Sequence, residues 1–140
     1  MAKIYWLHGQ PGSGKSTIGK RLQIWLQTDK SNWRKTVFHI DEDKVKNLYT
    51  ENHLEHIVTI SNFLLSTNHD VVVTAATPSK EFREMVKDKF KAVEIYCHSK
   101  NKSAKSNVIV EYELPEKLYV DLDTTGPEEN SFGNLIKMIL

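Results

Sequence analysis

A glycine-rich run, Gly9-Gln10-Pro11-Gly12-Ser13-Gly14-Lys15-Ser16, follows the apolar segment Ile4-Tyr5-Trp6-Leu7 almost without a gap and leads straight into an amphipathic stretch. No other feature of the chain restricts its fold as strongly. An apolar strand, a G-x-x-x-x-G-K-S turn and a helix, in that order, make a phosphate loop in the context it requires. Glycines let the backbone curl until successive N–H groups face one centre, which forms an anion cradle. Lys15 then bridges β- and γ-phosphates, Ser16 takes a place on Mg²⁺, and Thr17 reaches the α-phosphate. The helix opening at the same point adds the positive end of its dipole. The first expectation is a nucleoside triphosphate cradled by residues 9–17, with ATP and Mg²⁺ as the ligands.

Strand-like and helix-like segments alternate along all 140 residues, the pattern of a parallel sheet with helices on both faces. The expected fold class is α/β, a three-layer α/β/α P-loop NTPase fold with a mostly parallel five-stranded sheet, as a single domain over residues 1–140. Strands are expected over 3–8, 36–40, 71–76, 92–97 and 117–122. The run Val71-Val72-Val73-Thr74-Ala75-Ala76 is the clearest of them, β-branched without alternation as burial on both faces selects. Helices are expected over 15–27, 43–49, 52–67 and 131–140, and another opens at Pro78, placed in its first turn where a missing N–H costs nothing. Phe82, Met85, Val86 and Phe90 would form its apolar face. Residues 28–35 read as a surface loop, 99–107 as a lysine-rich polar segment and 108–112 as a short strand or extended piece.

Nineteen basic against eighteen acidic residues leave no charge bias that would force a nucleic-acid or membrane partner. No stretch approaches membrane-spanning length, and the first strand starts too near the N-terminus to leave room for a signal peptide. A lone cysteine, Cys97, allows no internal disulfide and suits a reducing compartment. The cytoplasm is the expected location.

Many classes share the phosphate loop, so the remaining residues must discriminate. A guanine-reading N-K-x-D segment is missing, and the run 71–76 ends in alanines and Thr77 with no carboxylate at its tip. The acidic pair Asp41 and Asp43 instead follows the second strand. Carboxyl ends of strands in an open α/β sheet face the ligand crevice, so both should project toward the γ-phosphate. One would address Mg²⁺ while the other meets an acceptor hydroxyl as general base. Asp41 is the expected metal partner and Asp43 the base, with the reverse assignment open; together with Lys15 they are the catalytic candidates. The plainer alternative makes them exposed turn carboxylates, with Asp43 capping a helix.

Trp6-Leu7-His8-Gly9 through Thr17-Ile18 resembles the W-L-T-G-x-x-G-S-G-K-S-T-I opening of the adenylylsulfate kinase family. Ile40-Asp41-Glu42-Asp43-Lys44-Val45-Lys46 is similar to its L-D-G-D-N-V-R segment. The stretch from His56 to Pro78 matches R-I-A…G-x-x-x-I-T-S-x-x-S-P, and Glu113-Leu114-Pro115-Glu116 with Val120-Asp121-Leu122-Asp123-Thr124 resembles Y-E-x-P…L-V-L-D-T. The resemblance implies a P-loop kinase that moves the γ-phosphate of ATP to a hydroxyl of a small acceptor. Departures concentrate in the acceptor half. Glu42 and Lys44 stand where the family has glycine and asparagine, and Lys46 replaces an arginine, keeping charge but losing the bidentate fork. The family's R-x-x-N-I-R-R falls on Thr50, His53, Leu54, Glu55 and His56. Its aromatic-bearing acceptor loop is shortened here, and in place of its mobile basic lid lies the segment 99–107, with Lys100, Lys102 and Lys105 as stand-ins for charge.

Two further classes remain open. The acceptor is alternatively a nucleoside or a polynucleotide 5′-hydroxyl, although nucleic acid is not favoured, or the chain is a nucleotide-binding module with little transfer activity. His53 and His56, three residues apart, would suit a metal only with a third ligand, and none is evident. His8 either senses the phosphates or fills space. Cys97 and His98 point to opposite faces of a strand and make no dyad. The lysines after Lys80, interleaved with Glu81, Glu84, Asp88 and Glu94, read as a solvated face.

Overall fold

The computed structural model describes residues 2–28, 36–101, 109 and 111–140. Strand β1 (Ile4–His8) is buried along its whole length, and its alternate side chains enter two different cores. Tyr5 and Leu7 join Ile18, Leu22 and Leu26 of helix α1 (Lys15–Thr28), while Ile4 and Trp6 point the other way, toward Ile57 and Val86. That division follows from the two-residue period of a strand and makes β1 the wall between two helical layers.

After α1 come β2 (Val37–Asp41), α2 (Glu42–Leu48), α3 (His53–Ser66), β3 (Asp70–Thr74), α4 (Lys80–Phe90), β4 (Val93–His98), β5 (Tyr119–Asp123) and α5 (Glu128–Ile139). The sheet runs β2-β3-β1-β4-β5 with every pairing parallel. Helices α1 and α5 cover one face; α3 and α4 cover the other. The fold is the expected three-layer α/β/α P-loop arrangement with five parallel strands. Because β1 is central, and the chain lays β2 and β3 on one side of it before crossing to β4 and β5 on the other, its carboxyl end opens onto the crevice where such sheets hold ligands. No described helix is long and apolar enough to cross a membrane.

Local differences from expectation have local causes. Pro78 lies outside α4: Ser79 is its N-cap and accepts from the Phe82 N–H at 3.2 Å, so the helix starts one turn's preparation later. Met85 is exposed, and Arg83 fills the inward position instead. Strand β3 stops at Thr74, although Ala75, Ala76 and Thr77 stay buried. Helix α5 begins at Glu128, with Pro127 as its N-cap. Ile109, Glu111 and Tyr112 are not in a strand, while 108 and 110 lie outside the described residues, as do 29–35 of the expected loop and 102–107 of the expected lid, including Lys102 and Lys105.

Candidate active site

The phosphate loop turns between β1 and α1 with its back against the sheet. A Cβ on Gly9 would collide with the Cys97 carbonyl oxygen of β4, so only glycine lets the loop lie this close. Gly14 has a φ of 81°, a left-handed conformation at the entry to α1. Thr124, just past β5, donates to the Ser13 carbonyl at 2.6 Å and holds the loop from behind. The Ser13 hydroxyl is buried without a hydrogen-bond partner among the described residues. Such an orphaned donor inside a glycine cradle is what a phosphate oxygen would satisfy. Lys15 reaches the Gln10 carbonyl at 3.4 Å; burial holds its ammonium below its ordinary pKa, with Glu42 as the largest opposing influence.

Asp41 ends β2 directly opposite Thr74 of β3. Its Oδ1 accepts from the Ser16 hydroxyl at 3.2 Å and from the Thr74 hydroxyl at 3.1 Å. Since Thr74 spends its proton on Asp41, His39 Nε2, 2.8 Å from the same hydroxyl, must be the donor. Burial also holds His39 below its ordinary pKa. His39, Thr74 and Ser16 thus fix one carboxylate oxygen and leave the other available. A serine hydroxyl beside one aspartate suits Mg²⁺, which takes few protein ligands and completes its shell with water and substrate phosphate.

Asp41 and Asp43 do not share one wall. A cleft of about 570 Å³ has the phosphate loop on one side and Glu42, Asp43, Lys46, Ala76 and Ile109 on the other. An adjoining hollow of about 430 Å³ is bordered by Asp41, His39, Lys20, Gln23 and Lys44. Ser16 and Thr17 border both. Asp41 and Asp43 therefore border different hollows that meet at Ser16 and Thr17.

Glu42, read from sequence only as a departure from a motif, is a principal residue of the cleft. It is 7% exposed. Its Oε1 accepts the Ala76 N–H at 2.9 Å, its Oε2 lies 2.7 Å from His53 Nε2, and Lys46 stands 4.0 Å away. Glu42 and Val45 are the two buried positions of α2, an i, i+3 spacing that was a readable signal for an inward-facing carboxylate. Thr77, just beyond Ala76, adopts a φ of 45°, which is uncommon for a β-branched residue and costs about 1–3 kcal/mol. Trp6 donates to the Thr77 hydroxyl at 2.9 Å and Arg83 to its carbonyl at 2.7 Å, which hold it there.

Behind the loop lies a buried charged cluster. His8, Arg83 and Glu94 are each at most 2% exposed. Glu94 meets His8 Nε2 at 2.7 Å, Lys87 at 2.8 Å and Arg83 Nε at 3.3 Å, the last an ion pair without hydrogen-bond alignment. Tyr112 Oη lies 2.6 Å from both His8 Nδ1 and the Ala76 carbonyl, and its single proton serves only one of them. Burial outweighs the Glu94 hydrogen bond and keeps His8 below its ordinary pKa. For Glu94, burial pushes upward, but bonds from His8 and Lys87 prevail and its pKa is lowered. His8 therefore carries the loop on a polar pillar, neither open to the phosphates nor a simple space-filler. Gln10 clips Ile109 to the loop, accepting its N–H at 2.7 Å and donating to its carbonyl at 2.8 Å.

The remaining candidates resolve simply. His53 turns to Glu42, and His56 stacks on Tyr49 with ring centroids 3.8 Å apart. Cys97 is buried and its thiol pushed up to about 12. Lys80 pairs with Glu116, and Lys87 with Glu84 and Glu94.

Residues 1–109 match the family model described as adenylylsulphate kinase. A probable adenylyl-sulfate kinase from Aeropyrum pernix is 33% identical over 94 residues, which cover 60% of this chain and 49% of that protein. The chain thus spans about half the length of this curated relative. Among solved structures, a cysteine-to-alanine variant of the Mycobacterium tuberculosis APS kinase CysC superposes with a TM-score of 0.74 at 18% identity, over 99% of this chain and 96% of that one. The same enzyme in complex with AMPPNP and APS gives 0.73 at 16% identity, over 99% and 97%. These structures share the fold, and the family match runs through both the phosphate loop and the aspartate segment: the chain belongs to the adenylylsulphate kinase family.

Proposed function

We propose that the protein is an ATP-dependent phosphotransferase that moves the γ-phosphoryl group of ATP to a hydroxyl of a small acceptor. The observation that carries this reading is the hydrogen bond from the Ser16 hydroxyl to Asp41, beside a cleft lined by both the phosphate loop and Asp43. Family membership supports it, as does the fold neighbour held with AMPPNP and APS. Gly9, Gln10, Pro11, Gly12, Ser13 and Gly14 supply loop geometry and N–H groups, Lys15 neutralises β- and γ-oxygens, and Thr17 attends the α-phosphate. Ser16 and Asp41 would hold Mg²⁺, whose contribution when present is to offset charge on the transferring group.

With Asp41 beside Ser16 as the metal partner, Asp43, which lines the cleft with Lys15, would serve as the base. A bond forms between the acceptor oxygen and the γ-phosphorus, and the bond from that phosphorus to the β–γ bridging oxygen breaks. The acceptor proton passes to Asp43, and ADP leaves. Lys15→Ala should lower transfer by about a thousandfold, the scale of losing a main charge-stabilising group, while leaving the thermal unfolding midpoint nearly unchanged. Turnover in that variant equal to the parent's would sink the assignment. Tight ATP binding without product on any acceptor would instead favour a nucleotide-binding module.

A further inference from the structure

We infer that the acceptor is an uncharged polyhydroxyl compound (a free sugar, polyol or nucleoside) and that Glu42 imposes this choice. The inference rests on the transfer reading and names the substrate class for the same cleft. Lys15 belongs to the donor, so an acceptor meets the opposite wall: Glu42, Asp43, Lys46, Ala76 and Ile109. Among the described residues that wall holds two carboxylates and one cation. Lys46 leans on Glu42 at 4.0 Å, so part of its charge is already used within the protein.

Glu42 cannot turn away from an anion. The Ala76 amide holds one of its oxygens and His53 the other, and both contacts come from outside its own helix. A phosphate or sulfate entering here would lose water against a fixed, buried like charge, where repulsion is screened far less than at the surface. Sugar-type hydroxyls face the opposite balance. A carboxylate has about four lone-pair sites, and Glu42 spends two of them on Ala76 and His53. The remainder, with those of Asp43, accept hydroxyl protons, while the Ala76 and Ile109 side chains offer an apolar surface for ring C–H groups.

The test uses a matched pair, adenosine and adenylylsulfate, which share the nucleoside and differ in the anionic group, together with ribose and glycerol as further neutral acceptors. Binding is measured by calorimetry on protein saturated with a non-hydrolysable ATP analogue and Mg²⁺, and product is followed separately with labelled ATP. At low salt the parent should bind the best neutral compound at least about tenfold more tightly than adenylylsulfate. Glu42→Gln should narrow that ratio several-fold, chiefly by improving adenylylsulfate, and added salt should narrow it in the unmutated protein. Tighter binding of adenylylsulfate than of every neutral compound overturns the inference, as does an equal effect of Glu42→Gln on both classes, or a failure of any acceptor to bind. The expected binding preference with no phosphorylated product leaves the substrate class standing and removes the transfer reading.

Discussion

The two walls of the cleft are built in opposite ways. The donor wall is nearly contiguous, residues 9–17, and works through backbone N–H groups and one lysine. The acceptor wall gathers Glu42, Asp43 and Lys46 from α2, Ala76 from beyond β3, and Ile109 from a segment clipped on by Gln10. A site made by one turn of chain needs only the local geometry of that turn. A site made by three segments depends on every element that positions them. The donor wall is therefore generic to its fold, and the acceptor wall is where this chain can differ from its relatives.

Substitutions that separate the walls sharpen this contrast. Asp43→Asn should lower turnover by about a hundredfold or more with ATP affinity retained, the range for loss of a general base. Asp41→Asn should act on the donor side, raising the Mg²⁺ concentration needed for half-maximal rate. A Mg²⁺ titration of both variants distinguishes them, and equal Mg²⁺ dependence would break the division of roles.

Both walls also rest on the cluster around Glu94, which braces His8 beneath the loop and Arg83 beneath Thr77. Glu94→Gln leaves Arg83 and Lys87 without their buried counter-charge and should cost about 3–5 kcal/mol of stability in denaturant unfolding. A loss under about 1 kcal/mol would mean that the cluster is not what supports the two walls. A smaller effect, about 1 kcal/mol in Mg²⁺ affinity, is expected for Thr74→Val, which removes one of the two hydrogen bonds on Asp41 Oδ1. Thr74→Ser should restore it, whereas loss in both variants would assign Thr74 to packing alone.

The mildest change is with pH. His8 sits below its ordinary 6.5 because it is buried. As pH falls through that value the unfolded chain takes up a proton that the folded chain refuses, and stability drops. Glu94 sits below its ordinary 4.5 and stays ionised when folded, a contribution present above that pH and lost as pH falls through its folded value. Both act in one direction, so denaturant midpoints should decline on acidification in two steps, the first beginning near pH 6.5. Stability that rises between pH 7 and about 5.5 would contradict the buried, neutral His8.

Much of the architecture was legible because it is periodic. The run Val71-Val72-Val73 is apolar on both faces, and Ile18, Leu22 and Leu26 recur at helical spacing, so β3 and α1 could be read before any contact was known. Residues 9–17 were legible for a different reason: spacing, glycines and the following helix create the anion site within a few residues. Asp41 and Asp43 were visible as a pair, yet the hold of Thr74 on Asp41 was not, since it depends on the β2–β3 register that sets the two opposite each other. Glu94 looked like a member of a solvated charged face, and nothing in the sequence singled out Arg83. They are buried because each finds its counter-charge on another element, and pairing offsets desolvation only where the two are brought together. The sequence by itself determined the order of strands and helices and the place of the phosphate cradle, because those follow from side-chain period and backbone freedom over short spans. Only the tertiary structure decided that Glu42 meets the Ala76 amide and His53, and that His8 stands on a buried ion cluster. Each of those is a long-range hydrogen bond or charge pair, and no local pattern specifies its partner.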